Sequence, residues 1–300
     1  MYVVLGATGN TGSVVAKRLL EKGAKVRVVG RDAARLAALT HQGAEAFTAD
    51  VNDAAALTKA FAGAEAAYLL LPPQLTAPDL LAVGEKITDA ITEAVKSSGI
   101  SRAVLLSSIG AQHDSKTGPI LTLHRFEQKL NQVGGLNALY LRPVFFMENF
   151  LMLIGMIQSM GFMGGGIKGD LKMPMIATRD IGDAAAEALL SQNFQGKTAK
   201  EILGQRDLTH EEAARILGGE IGRPKMSYQR FPGFMVEQAM KHMGIPGKTA
   251  SLMTEMNEAA NDGLLDPIEP RSAANTTPTP IETFAKEIFA PAFRAKAATA

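Results

Sequence analysis

An α/β fold built on a doubly wound parallel sheet is predicted by three features of the sequence. Short apolar runs at residues 2–5, 25–29, 44–48, 66–71, 102–106 and 138–141 alternate with amphipathic segments. The runs are continuous rather than alternating in polarity, as expected for strands covered by helices on both faces. Gly6, Gly9 and Gly12 follow the first run directly, where a strand gives way to a helix. Strands alternating with helices form βαβ units, and a glycine-rich turn after the first strand marks the Rossmann type of this architecture.

The elements follow in order. Helices are expected near 11–22, 33–41, 53–61, 79–98 and 119–133. In the fourth, Leu80, Val83, Ile87, Ile91 and Ala94 recur every three or four residues and trace one helical face. Asp32 suits the N-cap of the second. After Arg142-Pro143 the texture changes. Residues 145–160 read as one helix rich in Phe and Met, 161–166 as a glycine-rich turn, 173–176 as a strand leading into a helix after Thr178, and 198–203 as a further strand. Thr209 and Glu212 have the spacing of a capping box ahead of Ala213, Ile216 and Leu217. The rest is mostly helical to about 291, broken by a Pro/Thr-rich loop near 266–280. The expected organisation is a core of residues 1–150, to which 173–204 returns. A smaller, mostly helical, partly discontinuous substrate-side region comprises 151–172 and 205–292, and 293–300 is a disordered tail.

Composition narrows the function classes. The 300 residues are 46% hydrophobic and 20% charged, with a net charge of +1 from 31 basic and 30 acidic residues. No global field recruits nucleic acid or an anionic membrane. With no cysteine, thiolate catalysis, disulfides and Cys-ligated metals are excluded. The chain enters a strand without a basic leader and carries no apolar run near the ~20 residues of a membrane span. A cytoplasmic protein that binds neither nucleic acid nor membrane is expected.

Gly6-Ala7-Thr8-Gly9-Asn10-Thr11-Gly12 is the principal site motif. A tight turn lets backbone approach a pyrophosphate closely, and the free amides and dipole of the following helix hold the anion. Gly6, Thr8, Gly9, Asn10, Thr11 and Gly12 are therefore candidate dinucleotide contacts. The second strand ends without the carboxylate that would accept from a ribose 2′-hydroxyl. Arg31 follows it instead, and a guanidinium suits a 2′-phosphate, so NADP(H) is expected over NAD(H). Asp50 and Val51 lie at the adenine edge, although Asp50 is also placed to cap the helix near 53. Leu71 and Pro72 end the fourth strand, and Ser107 and Ser108 the fifth. These sit at the nicotinamide half, with strand-end backbone bonding as the alternative role of the serines.

Leu141-Arg142-Pro143-Val144-Phe145-Phe146-Met147-Glu148-Asn149, Ala177-Thr178-Arg179-Asp180-Ile181-Gly182, and Asp207-Leu208-Thr209 through Gly222-Arg223-Pro224 complete a pattern with the glycine loop and Ser107-Ser108. Over residues 1–230 the chain resembles the NmrA-like family of atypical short-chain dehydrogenase/reductases. The resemblance implies a Rossmann core with a smaller region over the nicotinamide end. It also implies one of two activities: NAD(P)H-dependent reduction of quinones, azo dyes or triphenylmethane dyes, or redox sensing without turnover.

None of Tyr2, Tyr68, Tyr140 and Tyr228 has a Lys four residues later, so the usual Tyr-x-x-x-Lys alcohol/ketone chemistry is not expected. Where related reductases keep a lysine four residues before a glutamate, here Glu127, this chain has Leu123. His124 is the neighbouring candidate proton donor, with a cofactor-contacting or surface role as the alternative. Glu127 is expected to bond the loop or the neighbourhood of Arg125. His113-Asp114 lacks a third ligand, so no metal is expected. Met152, Met156 and Met160 share a helical face and, with Phe145 and Phe146, form either core or the plastic wall of an apolar pocket. Phe145, Phe146, Asn149 and Met152 are the candidate pocket residues. The expected function is an NADPH-dependent reductase of quinone-like or other conjugated aromatic acceptors. The alternative is a non-catalytic NADP(H)-binding sensor acting through a protein partner. A homo-oligomer remains open.

Overall fold

The computed structural model describes residues 1–297. Its elements are β1 (Tyr2–Leu5), α1 (Asn10–Glu21), β2 (Val26–Gly30), α2 (Ala33–Thr40), β3 (Glu45–Thr48), α3 (Ala54–Phe61), β4 (Ala66–Leu70), α4 (Leu80–Ser98), β5 (Arg102–Leu106), α5 (Leu121–Asn131), β6 (Asn137–Pro143), β7 (Phe145–Phe146), α6 (Ile154–Met160), β8 (Met163–Gly165), β9 (Met173–Ile176), α7 (Thr178–Ser191), β10 (Lys197–Ile202), β11 (Asp207–Leu208), α8 (His210–Glu220), β12 (Tyr228–Arg230), α9 (Gly233–His242), α10 (Gly247–Asn261), α11 (Ile281–Phe284) and α12 (Ala290–Ala297).

Seven strands form one sheet in the order β10-β6-β5-β4-β1-β2-β3, every pair parallel. Register is set at the centre by Tyr2 opposite Val26 and Val4 opposite Tyr68. Strand order reverses about β1, which makes the crevice between β1 and β4 the switch point where ligands of open α/β sheets bind. The continuous apolar strands are explained by a buried layer on each face, except at the edge strand β3, where Glu45, Ala46 and Thr48 are exposed. On one, Val15, Leu19, Leu36, Ile181 and Leu189 of α1, α2 and α7 cover Val4, Val28 and Val104. On the other, Leu57, Phe61, Ile87, Ile91, Phe126 and Leu130 of α3, α4 and α5 cover Val3, Leu5, Leu69 and Leu105. A Cβ on Gly182 would lie 2.5 Å from Val14 Cβ, so a glycine lets α7 close against α1.

A third cluster holds the C-terminal region together. Phe150, Ile157, Met163, Leu217, Phe284 and Phe289 are buried within it. Small sheets β11-β9-β7 and β12-β8 lie in this part of the molecule. Here the expectation of one helix over 145–160 fails. Phe145 and Phe146 pair with Met175 and Ile176 of β9, and residues Met147–Leu153 form a 3₁₀ turn before α6. The Glu148 carboxylate pins that turn by accepting from the backbone N–H (3.0 Å) and hydroxyl (2.6 Å) of Thr178. The tighter 3₁₀ winding breaks the methionine face. Met152 is 66% and Met160 59% exposed, so the stripe is not core.

The glycine-rich segment is more than a turn, since Met163 and Gly164 pair with Tyr228 and Gln229. The capping box forms as expected, with Glu212 N donating to Thr209 Oγ1 and Thr209 N to Glu212 Oε2. The tail expected to be disordered from 293 is helical through Ala297; positions 298–300 lie outside the described residues. No helix among the described residues is long and apolar enough to cross a membrane.

Candidate functional site

The loops after β1, β2, β3, β4 and β5 lie at the carboxyl end of the sheet, and the sequence-predicted cofactor residues lie on them or, for Asn10, Thr11 and Gly12, on the first turn of α1. After β1, Gly6 has φ +61°, a conformation that favours glycine. A Cβ at Gly12 would lie 2.3 Å from the Gly6 carbonyl oxygen. Gly6 and Gly12 are thus demanded by the loop's own shape. Gly9 is different: it is exposed, its φ of −91° suits any residue, and it caps α1 without a side-chain bond. A Cβ there would approach Gly6 O only to 3.3 Å. The fold demands glycine less strictly here than at Gly6 or Gly12, since the backbone would have to give by only a few tenths of an ångström, and the first N–H groups of α1 are open to an anion. This cradle fits a pyrophosphate. Thr8 is half-buried and Asn10 exposed. The Thr11 hydroxyl points inward and accepts from the buried Tyr68 hydroxyl at 2.9 Å, which leaves its backbone N–H for a ligand.

After β2, Arg31 is exposed. Asp32 caps α2 by accepting from Ala34 N at 2.8 Å, so the one nearby carboxylate is engaged away from a ribose. After β3, Asp50 accepts from Asn52 N at 2.9 Å and Asn52 Nδ2 at 2.8 Å. The helix cap that Asp50 was also placed to provide belongs to Asp53, which accepts from Ala56 N at 2.9 Å. Val51 is half-buried beside it.

After β5, Ser107 is buried and donates to Glu127 Oε1 at 2.5 Å, while Ser108 donates to Ile109 O at 2.9 Å. Glu127, 2% exposed, is held by Arg142 Nε at 3.0 Å and Nη2 at 2.5 Å. The expected neighbour Arg125 instead pairs with Glu85 at 3.6 Å. Sequence spacing missed this pair because Arg142 reaches α5 from β6. His124 Nδ1 bonds Ala111 O at 2.9 Å. A carbonyl only accepts, so in the neutral ring Nδ1 carries the proton and Nε2 a lone pair. His124 donates a proton from Nε2 only as imidazolium.

All four tyrosine hydroxyls are engaged. Tyr68 bonds Thr11, Tyr140 bonds Asn131 at 2.8 Å, Tyr228 bonds Ile167 O at 3.0 Å, and Tyr2 accepts from Gln192 at 3.4 Å. Burial pushes the hydroxyls of Tyr68, Tyr140 and Tyr228 above the ordinary range. His113 meets Leu264 O at 3.1 Å, and the described residues include no group of three His, Cys, Asp or Glu that could hold a metal.

The candidate pocket residues divide. Phe145 packs on Phe150 and His210 with centroids 5.3 and 5.2 Å away. Phe146 and Asn149 are half-buried, and Met152 is largely exposed. An apolar slot of about 170 Å³ opens elsewhere, just beyond the end of β4 between the first turns of α4 and α5. Its lining includes Leu71, Pro72, Gln74, Leu80, Ile120 and Leu123. Of these, the sequence had marked Leu71 and Pro72. Gln74 is polar, and Leu80, Ile120 and Leu123 are ordinary apolar residues, on separate segments with no local signal to join them.

α10 braces the slot's loops: Lys248 pairs with Asp79 at 3.1 Å, Thr249 Oγ1 donates to Ala77 O at 3.0 Å, and Gly118 N donates to Glu255 at 3.1 Å. A wider, open groove of about 670 Å³ near Met160, Arg223 and Lys225 has no lining residue from the loops after β1 to β5.

The chain is 29% identical over 290 residues to the NAD(P)H azoreductase of Xenophilus azovorans, covering 95% of this chain and 96% of that one. It is 25% identical over 267 residues to quinone oxidoreductase 2 of Escherichia coli, covering 88% and 89%. The crystal structure of the NADPH-dependent quinone oxidoreductase of Escherichia coli in complex with NADPH superposes with a TM-score of 0.81 at 24% identity, over 96% of this chain and all of that one. Triphenylmethane reductase of Citrobacter sp. superposes with a TM-score of 0.77 at 18% identity, over 96% and 99%. The sequence model of the NmrA-like family matches residues 2–284, and the chain belongs to that family.

Proposed function

We propose that this protein is an NADPH-dependent reductase of quinone-like or other conjugated aromatic acceptors. The observation that carries this reading is the apolar slot between α4 and α5, which opens beyond the carboxyl end of β4, the strand beside β1 and its glycine cradle. The cofactor, when bound, supplies a hydride. The chain's residues do the rest. Backbone of Gly6, Thr8, Gly9, Asn10, Thr11 and Gly12 holds the pyrophosphate, and Arg31 takes the 2′-phosphate. Asp50 and Val51 flank the adenine. Leu71, Pro72, Ser107 and Ser108 line the nicotinamide half, with Ser107 kept in place by Glu127 and Arg142. Phe145, Phe146, Asn149 and Met152 lie on the segment after β6, where they contact the part of an acceptor that extends from the slot.

With every tyrosine hydroxyl engaged, protons come from water or from His124 as imidazolium. Two named relatives, an NAD(P)H azoreductase and a quinone oxidoreductase, support the substrate class. The test is NADPH oxidation followed spectrophotometrically. Turnover is expected with a menadione-like quinone or an azo dye, and none with simple secondary alcohols or ketones. The reading fails if a broad quinone and dye panel gives no oxidation despite tight NADPH binding.

A specific observation favours a sensor in that event. The chain has neither a Tyr-x-x-x-Lys pair nor a lysine at position 123, where Leu123 stands. An interaction that changes with the NADP⁺/NADPH ratio would then be sought.

A further inference from the structure

We propose that Gln74 is the hydrogen-bonding group that selects and orients the acceptor, and that the slot beside it admits one ring of an uncharged oxygen-bearing aromatic. This proposal rests on the reductase reading above and assigns a residue the sequence did not mark. Three observations lead to it. The slot's volume of about 170 Å³ is close to that of an apolar protein cavity able to bind one benzene ring. Its walls are apolar residues and prolines, and Gln74 is the one lining residue with a polar side chain. The Gln74 amide is only weakly engaged, since its one bond, from Nε2 to Pro72 O, is long at 3.4 Å. His124 is not among the residues that line the slot. Leu123, at the neighbouring position, carries no polar atom.

The chemistry balances. A quinone ring in the slot gains a hydride, and the electron pair collects on the ring oxygens. Gln74 donates an amide N–H to one of them, where a prepositioned donor in an apolar site stabilises developing charge more than it stabilises the neutral carbonyl. One proton from water converts the resulting monoanion to the hydroquinone. An acceptor with a fixed charge on the entering ring finds no partner in the slot and is refused by desolvation.

The experiment separates the slot from its amide without relying on turnover. Phenol and toluene, similar in size and both inert toward NADP⁺, are titrated by calorimetry into the NADP⁺-loaded protein. Gln74→Met, which nearly preserves side-chain volume, is expected to weaken phenol by roughly threefold to tenfold and to leave toluene unchanged. Gln74→Glu retains an acceptor for the phenol hydroxyl. It is expected to keep phenol affinity while lowering kcat for a monocyclic quinone, because a carboxylate has no proton to donate and repels the forming anion. Equal loss of phenol and toluene in Gln74→Met, or loss of neither, overturns the assignment of Gln74. Binding of NADP⁺ but of neither ring in the wild type overturns the slot. Failure to bind NADP⁺ overturns the underlying reductase reading and the acceptor role with it.

Discussion

The loop after β1 and the slot between α4 and α5 lie at the carboxyl end of one sheet and are built in opposite ways. The loop is seven consecutive residues, Gly6 to Gly12, offering mainly backbone N–H, with its shape maintained by two glycines and its mouth kept open by a third. The slot draws on residues between 71 and 84 and between 119 and 123. Its loops are braced from far along the chain, as by the bond from Gly118 N to Glu255, 137 residues away. A pyrophosphate carries the same charge and shape in every dinucleotide, so one backbone conformation is enough to hold it. An uncharged ring is held by fit, and fit requires side chains brought together from several segments.

The sharpest test of this contrast lies within the loop. Gly12→Val drives a side chain into the Gly6 backbone and is expected to lower Tm by roughly 6–12 °C or prevent folding. Gly9→Val is expected to fold, with Tm within a few degrees of the wild type. It should weaken NADPH binding about 100-fold or more, as several charge-assisted amide contacts are lost. Calorimetry and thermal unfolding on both variants check the pair, and undiminished NADPH affinity in folded Gly9→Val would remove the loop from the site.

On the acceptor side the next largest effect is one of pH. His210 lies at the start of α8, packed against the rings of Phe145, Phe150 and Tyr228. Its Nδ1 is buried without a partner, and burial pushes its pKa down to about 4. The unfolded chain takes up a proton near pH ~6.5, which the folded chain resists until about pH 4. Stability from this group is therefore complete above ~6.5 and is lost as pH falls toward 4, a change on the order of 3 kcal/mol. Urea denaturation across that window should show the loss in the wild type and a flatter curve in His210→Phe. Parallel curves would mean that the aromatic cluster tolerates the charge.

Arg31→Ala should remove most of the preference for NADPH over NADH, roughly 10–100-fold, because one charge-assisted phosphate contact disappears. Equal affinity of the wild type for the two cofactors would show that Arg31 is indifferent to the 2′-phosphate. The smallest effect belongs to His124→Ala, expected to cut turnover by less than tenfold if water supplies the proton. A loss nearer the ~10²–10⁴ of a true general acid would make His124 the donor and give the acceptor end a dedicated catalytic residue.

What the sequence by itself determined is whatever depends on neighbours along the chain. Apolar runs specified the strands β1 to β6, although β3 proved an exposed edge strand rather than a covered one, and periodic leucines and isoleucines specified α4. Asp32 and Thr209 marked the starts of α2 and α8, and Gly6, Gly9 and Gly12 marked the turn from β1 into α1, because that turn is completed within seven neighbouring residues. Tertiary structure decided the rest, in each case because the deciding partner was distant. Phe145 and Phe146 left the expected helix to pair with β9. Glu127 found Arg142 across two elements rather than Arg125 on its own. Met152 and Met160 turned outward once a 3₁₀ stretch shifted their phase. The slot appeared only when α4, α5 and the loop at 71–79 were assembled, since an apolar side chain signals burial to its neighbours in sequence but says nothing of which distant surface it will meet.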